Sequence, residues 1–444
     1  MLTLAGMACA ALVGGCGSSS ASGSSVGDAG EGQDAAAFDA GGTADGRGPG
    51  GDAALEAASP TDAPTGTDTG SASDGSAGPP ACPSGKRPFR LVNRCTQSVQ
   101  VALTAGATTT ACGSNGTCAP VGTCNTSNGL CYWPLPDLGP SHGEMAPGAS
   151  LTVCFDAPVA GLSTQWSGNL AARIGCDASG NCPPQPTTLA EFTLADQTAS
   201  PPGTDFYDVS IINGLDVGMS MAPVGGTFAA QGGDPYSCAG AGASTSSGSL
   251  GACSWSVKPI VGGTDETTWA RAVVPGGASC SSDTDCSAGS SCGLAQDGAS
   301  FTHSCGASLG WWTADQICGV DPGFGAPYDC ASTVTNANGT TSTYAQLFGC
   351  TGPAQGQSCY STGAAADCCG CGTDAPAWPK TMAPGFACQN DNPRWQSVAE
   401  PWLAFLKQAC ATAYVYPFDD ATSTFTCAPS SNVSPVSYVI TFCP

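Results

Sequence analysis

The segment YVITFCP (438–444) alternates side chain by side chain: Tyr438, Ile440 and Phe442 fall on one face, Val439, Thr441 and Cys443 on the other. A period of two with β-branched and aromatic residues marks a strand, because successive side chains leave opposite faces of a pleated backbone. The same period returns at Val99, Val101 and Leu103, and again at Leu151, Val153 and Phe155. With 62 glycines and 34 prolines to break up long helices, these runs predict an all-β sandwich rather than an α/β fold. One helix is expected, over 398–410, where Trp402, Leu403 and Leu406 share a face.

Outward from the strands, the cysteines set the second constraint. Of the 28, Cys9 and Cys16 stand in a short apolar leader, and the remainder is an even number. The leader ends LVGGC (12–16), which resembles a bacterial lipobox with Cys16 as the lipid-modified first residue of the mature chain. Export to a disulfide-permissive space follows, and an even, dense cysteine set there reads as a disulfide framework. Gly17 after the cysteine, in place of Asp, favours the outer membrane or surface of a Gram-negative host. Metal binding is the competing use of cysteine; with only His142 and His303 available, no metal site is expected.

Residues 16–80 are built mainly from Gly, Ala, Ser, Thr, Asp and Pro, with Phe38 and Leu55 as the large apolar exceptions and one basic residue, Arg47, against ten acids. Such a stretch buries too little surface to offset chain entropy, and it reads as a self-repelling spacer. The domain plan is therefore a leader over 1–15, a spacer over 16–80, a sandwich over 81–237 and 411–444, and a cysteine-rich subdomain over 238–410. The last is rich in Gly, Ser and Thr and carries fifteen cysteines. Two clusters, Cys112/Cys118/Cys124/Cys131 and Cys280/Cys286/Cys292, have similar spacings and read as small knotted loops.

A formal charge of −23 with only 11 Lys and Arg excludes a nucleic-acid partner, which needs clustered basic residues against phosphate. It suits neutral or cationic partners such as polysaccharides, with the lipid as the membrane anchor. No phosphate loop or dinucleotide fingerprint stands out, so no cofactor is expected. Gly306-Ala307-Ser308-Leu309-Gly310 matches G-x-S-x-G, but without a strand–turn–helix context it is a chance match in a Gly- and Ser-rich chain.

Six ordered segments then point to a family. FRLVNRC (89–95), WSGNLAARIGC (166–176), TTLAEFTL (187–194), DFYDVSIINGLDVGM (205–219), FDDATSTFTC (418–427) and YVITFCP (438–444) resemble thaumatin-like proteins in content and order. The resemblance implies a flattened β-sandwich with an inserted disulfide-rich loop subdomain and a cleft between them. It also implies pairing of Cys95 with Cys443, Cys238 with Cys427 and Cys253 with Cys410, and a shortened loop holding only Cys176 and Cys182.

In many members of that family the cleft is acidic. Carried over residue by residue, Glu191, Asp208 and Asp419 are kept, while the family's Arg falls on Asn169 and one Asp on Asn213. Arg173 matches a second family Arg, and Asp216 and Asp420 are acids nearby. Carboxylates in a groove accept hydrogen bonds from sugar hydroxyls, and a spaced pair with separated pKa values can cut a glycosidic bond. The bland alternative is that these acids cap turns and strand ends. Trp166, Tyr207, Trp311 and Trp312 offer rings for sugar stacking, with core packing as their more ordinary use. Three functions remain open: carbohydrate binding of a β-glucan type, endo-β-1,3-glucanase activity by Glu191 with an Asp, or a protein-interaction or inhibitor module with a vestigial cleft.

Overall fold

The computed structural model describes residues 82–83, 86–113, 115–118, 122–156, 164–177, 179–224, 228, 233–246, 249–257, 270–335, 341–350, 393–417, 419–430 and 435–444. The leader, the spacer and Cys16 lie outside them, as does the side chain of Asp420.

Two sheets form the sandwich. The first has four strands in the order β11-β19-β1-β7: β1 Lys86–Asn93, β7 Ser150–Asp156, β11 Met219–Val224 and β19 Ser437–Phe442. The alternating segment at the C-terminus is thus a central strand. Its Tyr438 and Ile440 stand opposite Phe89 and Leu91 in a parallel pairing with β1. The second sheet has six strands in the order β18-β10-β9-β8-β2-β6: β2 Val99–Ala105, β6 Glu144–Met145, β8 Thr164–Arg173, β9 Leu189–Ala195, β10 Asp205–Ser210 and β18 Phe425–Cys427. The fold is all-β, as the alternation predicts.

The inner faces meet in an aromatic core. Phe89 packs on Phe155 and Phe192 with ring centroids 4.6 and 5.0 Å apart, and Trp166 stacks on Phe192 at 4.9 Å. Edge-to-face and offset contacts of this kind add to the burial itself. Beside them lies a buried charge network. Arg87 holds both oxygens of Asp205, with Nη1 to Oδ1 at 2.9 Å; the Tyr438 hydroxyl donates to Oδ2 at 2.8 Å and the Ala195 amide to Oδ1 at 2.8 Å. The guanidinium also reaches the Val436 carbonyl from Nε at 3.1 Å, tying β1 to the entry of β19.

Disulfides close the rest. Cys95–Cys443 joins residues 348 apart in sequence, and Cys82–Cys154, Cys176–Cys182, Cys238–Cys427 and Cys253–Cys410 are also formed. A bond closing so long a loop removes freedom from the unfolded chain and contributes about 3–5 kcal/mol in the chain-entropy picture. The two knotted loops share one plan, first cysteine to third and second to fourth: Cys112–Cys124 with Cys118–Cys131, and Cys280–Cys292 with Cys286–Cys305. The first knot carries a three-stranded sheet in the order β3-β5-β4, with β3 Ala107–Ala111, β4 Thr123–Asn125 and β5 Leu130–Tyr132. The second carries β12 Arg271–Val273, β13 Ser291–Asp297, β14 Ser300–Gly306 and β15 Ser308–Trp311, followed by the hairpin β16 Thr333–Thr335 and β17 Thr341–Thr343.

The helix expected over 398–410 is present as Glu400–Lys407, and a second short helix ending at Val398 precedes it. Among the short helices α1 Ala314–Val320, α2 Tyr344–Phe348, α3 Pro393–Val398, α4 Glu400–Lys407 and α5 Asp420–Ser423, the break falls at Ala399. Pro401 has no N–H for the Ser397 carbonyl, so α3 cannot run on into α4. The far end stops at Lys407, whose Nζ collects the Ala411 and Ala413 carbonyls at 3.0 and 2.8 Å.

Candidate functional site

Three strands of the six-stranded sheet place their polar residues in one line. On β8 the apolar Leu170 and Ala172 point inward, so Asn169, Ala171 and Arg173 point out; on β9 Ala190, Phe192 and Leu194 leave Glu191 and Thr193 outside. On β10 Tyr207 and Val209 are inner residues, and Asp208 and Ser210 are outer ones. The register then sets Asn169 opposite Glu191 and Glu191 opposite Asp208, with Thr104 of β2 beyond Asn169. Directly opposed side chains have Cβ atoms about 4.5–5.5 Å apart, so this is one continuous row.

The row is graded in exposure. Thr104 is exposed, Glu191 half-buried, and Asn169 and Asp208 are 7 % and 1 % exposed. Burial pushes the Glu191 carboxyl up to about 7, and a hydrogen bond with Ser210 works against that rise. Ser210 escaped the sequence reading. Its signal was present, since it lies two residues from Asp208 and shares its face.

Two other candidates stand apart from the row. Asn213 lies in the turn after β10, where its carbonyl accepts from Thr187 N at 2.6 Å. Gly214 beside it has φ +92°, and a Cβ there would sit 2.3 Å from the Pro186 Cβ, so the turn requires glycine. Asp419 is 6 % exposed, and its carboxylate serves its own loop. Oδ1 accepts from Thr422 Oγ1 at 2.6 Å, while Oδ2 accepts from Val415 N at 3.2 Å and pairs with Lys407 Nζ at 2.5 Å. That is turn and helix-end chemistry.

Asp216 likewise staples the turn to the start of β9, accepting from Thr188 N at 2.8 Å and Val217 N at 2.6 Å. Burial pushes its carboxyl up to about 7 against those bonds. Arg173 donates to the Pro183 carbonyl at 3.3 Å; burial lowers its pKa, and the nearby Asp216 charge opposes that.

The stacking candidates are core residues in the main. Trp166, Tyr207 and Trp312 are 1–3 % exposed, and Trp311, half-buried, packs edge-on to Phe405 at 5.8 Å. The G-x-S-x-G match joins β14 to β15, the two edge strands of one four-stranded subdomain sheet, with a strand rather than a helix running on from Ser308, and is no nucleophile elbow. Sulfurs of Cys112, Cys118 and Cys131 cluster, as do those of Cys280, Cys286 and Cys305. All six are in disulfides and offer no thiolate to a metal.

The chain is similar to several known proteins. Pathogenesis-related protein 5 of Arabidopsis thaliana is 39% identical over 109 residues, covering 21% of this chain and 41% of that one. Pathogenesis-related thaumatin-like protein 3.5 of Cryptomeria japonica is 32% identical over 148 residues, 33% of this chain and 52% of that one. A glucan endo-1,3-beta-glucosidase of Prunus avium is 36% identical over 112 residues, with 21% and 41% covered. The chain thus spans about half, or less, of the length of these relatives. The Thaumatin family model matches residues 143–444, more than half of the chain and all of the strands that carry the row except β2. The chain belongs to the thaumatin family.

Proposed function

We propose that this protein is an extracytoplasmic, membrane-tethered thaumatin-like protein that binds a β-glucan-like carbohydrate along the Asn169–Glu191–Asp208 row. The observation that carries the reading is the register: an amide and two carboxyls on adjacent strands of one sheet face. Half-buried Glu191 can accept hydrogen bonds from sugar hydroxyls, with Asn169 and Asp208, almost wholly buried, flanking it. The disulfides among the described residues support an oxidising compartment, and the LVGGC segment supports lipidation at Cys16.

Hydrolysis is the second reading, and one observation favours it. A carboxyl held near 7 suits a general acid, and the similarity to the Prunus avium glucosidase runs in the same direction. The 1 % exposure of Asp208 weighs against it, because a nucleophile or base must reach the sugar.

Pull-down with soluble and insoluble β-glucans, with product analysis in the same tubes, separates the readings. Retention without released sugar is expected. Released reducing ends would convert the reading to an enzyme, and no retention on any glucan would leave an interaction module with an idle cleft. Separately, Cys16→Ser should free the protein from membranes in a bacterial host; identical fractionation of mutant and parent would remove the tether from the proposal.

A further inference from the structure

We propose that the solvent-facing side of the first disulfide knot is a second contact surface for a neutral, hydroxyl-rich polysaccharide. The inference builds on the carbohydrate reading of the row but rests on different residues.

The first observation is charge. In a chain of net charge −23, residues 105–136 contain no Asp, Glu, Lys, Arg or His. The second knot, built on the same disulfide plan, carries Asp283, Asp285, Asp297 and His303. The shared scaffold therefore does not demand neutrality. An uncharged polar surface on an acidic protein fits a ligand without charge, since neither side has an ion to desolvate.

The second observation is geometry. On the middle strand β5, Cys131 is fully buried on the disulfide side, so Leu130 and Tyr132 point the other way. Tyr132 is half-buried and is flanked in register by Ala107 and Thr123, two short side chains. Asn128 Nδ2 donates to the Tyr132 hydroxyl at 2.9 Å and fixes the ring. Thr123 and Asn125 extend the same face, both exposed. An aromatic ring held still on a sheet stiffened by two disulfides, with amides and hydroxyls around it, matches a pyranose: the ring face takes the C–H side and the polar rim takes the hydroxyls. Preorganisation of this kind lowers the entropic cost of binding.

The third observation is continuity. Thr104 ends the row, and the knot starts at the next turn of the same chain: Gly106 N bonds to Ser167 O at 2.8 Å and Trp133 N to Gly106 O at 3.1 Å. Three residues of extended chain, about 10 Å, separate Thr104 from Ala107. A polysaccharide is long enough to engage both places.

The test uses the full chain, an insoluble linear β-1,3-glucan and a short soluble oligomer of it, with Tyr132→Ala, Tyr132→Phe and Glu191→Gln. Peptide mapping of Cys112–Cys124 and Cys118–Cys131 checks that each variant keeps its knot. Tyr132→Ala should weaken retention on the insoluble glucan by about fivefold to tenfold, and Tyr132→Phe should retain most of it, because the ring face remains. Unchanged retention in Tyr132→Ala, with loss in Glu191→Gln, overturns the knot surface and leaves the row standing. Loss in Tyr132→Ala with none in Glu191→Gln supports the knot and removes the row. Failure of the parent on both forms of glucan overturns both.

Discussion

On β10, Asp205 and Asp208 stand three residues apart and face opposite sides of one sheet. Asp205, fully buried, has a cation and two neutral donors: Arg87, the Tyr438 hydroxyl and the Ala195 amide. Asp208, 1 % exposed, is set in a row whose other members are Glu191, Asn169 and Thr104, none of them basic. The inner face thus neutralises its acid, and the outer face places one acid beside another. The inner arrangement serves structure, whereas the outer one places like groups at opposed strand positions, which costs stability and is the feature that the proposed ligand contact would explain.

The largest effect should come from breaking the inner solution. Arg87→Met leaves Asp205 buried beside a thioether and should cost about 3–5 kcal/mol in denaturant unfolding. A cost below about 1 kcal/mol would mean that the network is not what holds β1 to β10 and β19.

Two carboxyls, Glu191 in the row and Asp216 in the turn beside it, should show themselves through pH. Burial raises the Glu191 and Asp216 carboxyls to about 7, above their unfolded values. Between the unfolded value and about 7 the folded state holds more protons, so this stabilisation is full below the unfolded value and is lost as pH rises through the folded one. Unfolding free energy should therefore fall by on the order of a few kcal/mol from pH 4.5 to 8, and Glu191→Gln should flatten part of that slope. A protein that gains stability over that range would contradict the account.

A smaller effect is expected at Lys407, which pairs with Asp419 and is a quarter exposed. Lys407→Met should cost about 2–3 kcal/mol without altering glucan retention, since Asp419 is tied to its own loop. Smallest of all, Asn169→Arg puts a cation back into the row. It should lower the Glu191 pKa by roughly one unit in a carboxyl carbon NMR titration. An unmoved Glu191 would show that the two residues are not neighbours.

The fold was legible because its signals are local. Alternation at 438–442 and 151–155 needs no knowledge of partners, and the segment order carried the family. The helix over 398–410 was legible from Trp402, Leu403 and Leu406, but it runs only from Glu400 to Lys407, because Pro401 has no N–H to continue the helix that ends at Val398. The candidate site was legible as residue types but not as an arrangement. That Asn169, Glu191 and Asp208 form a row depends on register across three strands, which sequence spacing does not contain. The engagement of Asp419 by Lys407, Val415 and Thr422 also arises from a loop folding back on the end of a helix.

The most direct test of the row is affinity for a soluble linear β-1,3-glucan oligomer in the parent, Glu191→Gln and Asp420→Asn. Removing a charged acceptor from the row should weaken binding about tenfold to a hundredfold, while the change at Asp420 should leave it within about threefold. Equal losses in both variants, or parental affinity in Glu191→Gln, would contradict the assignment of the glucan to this face.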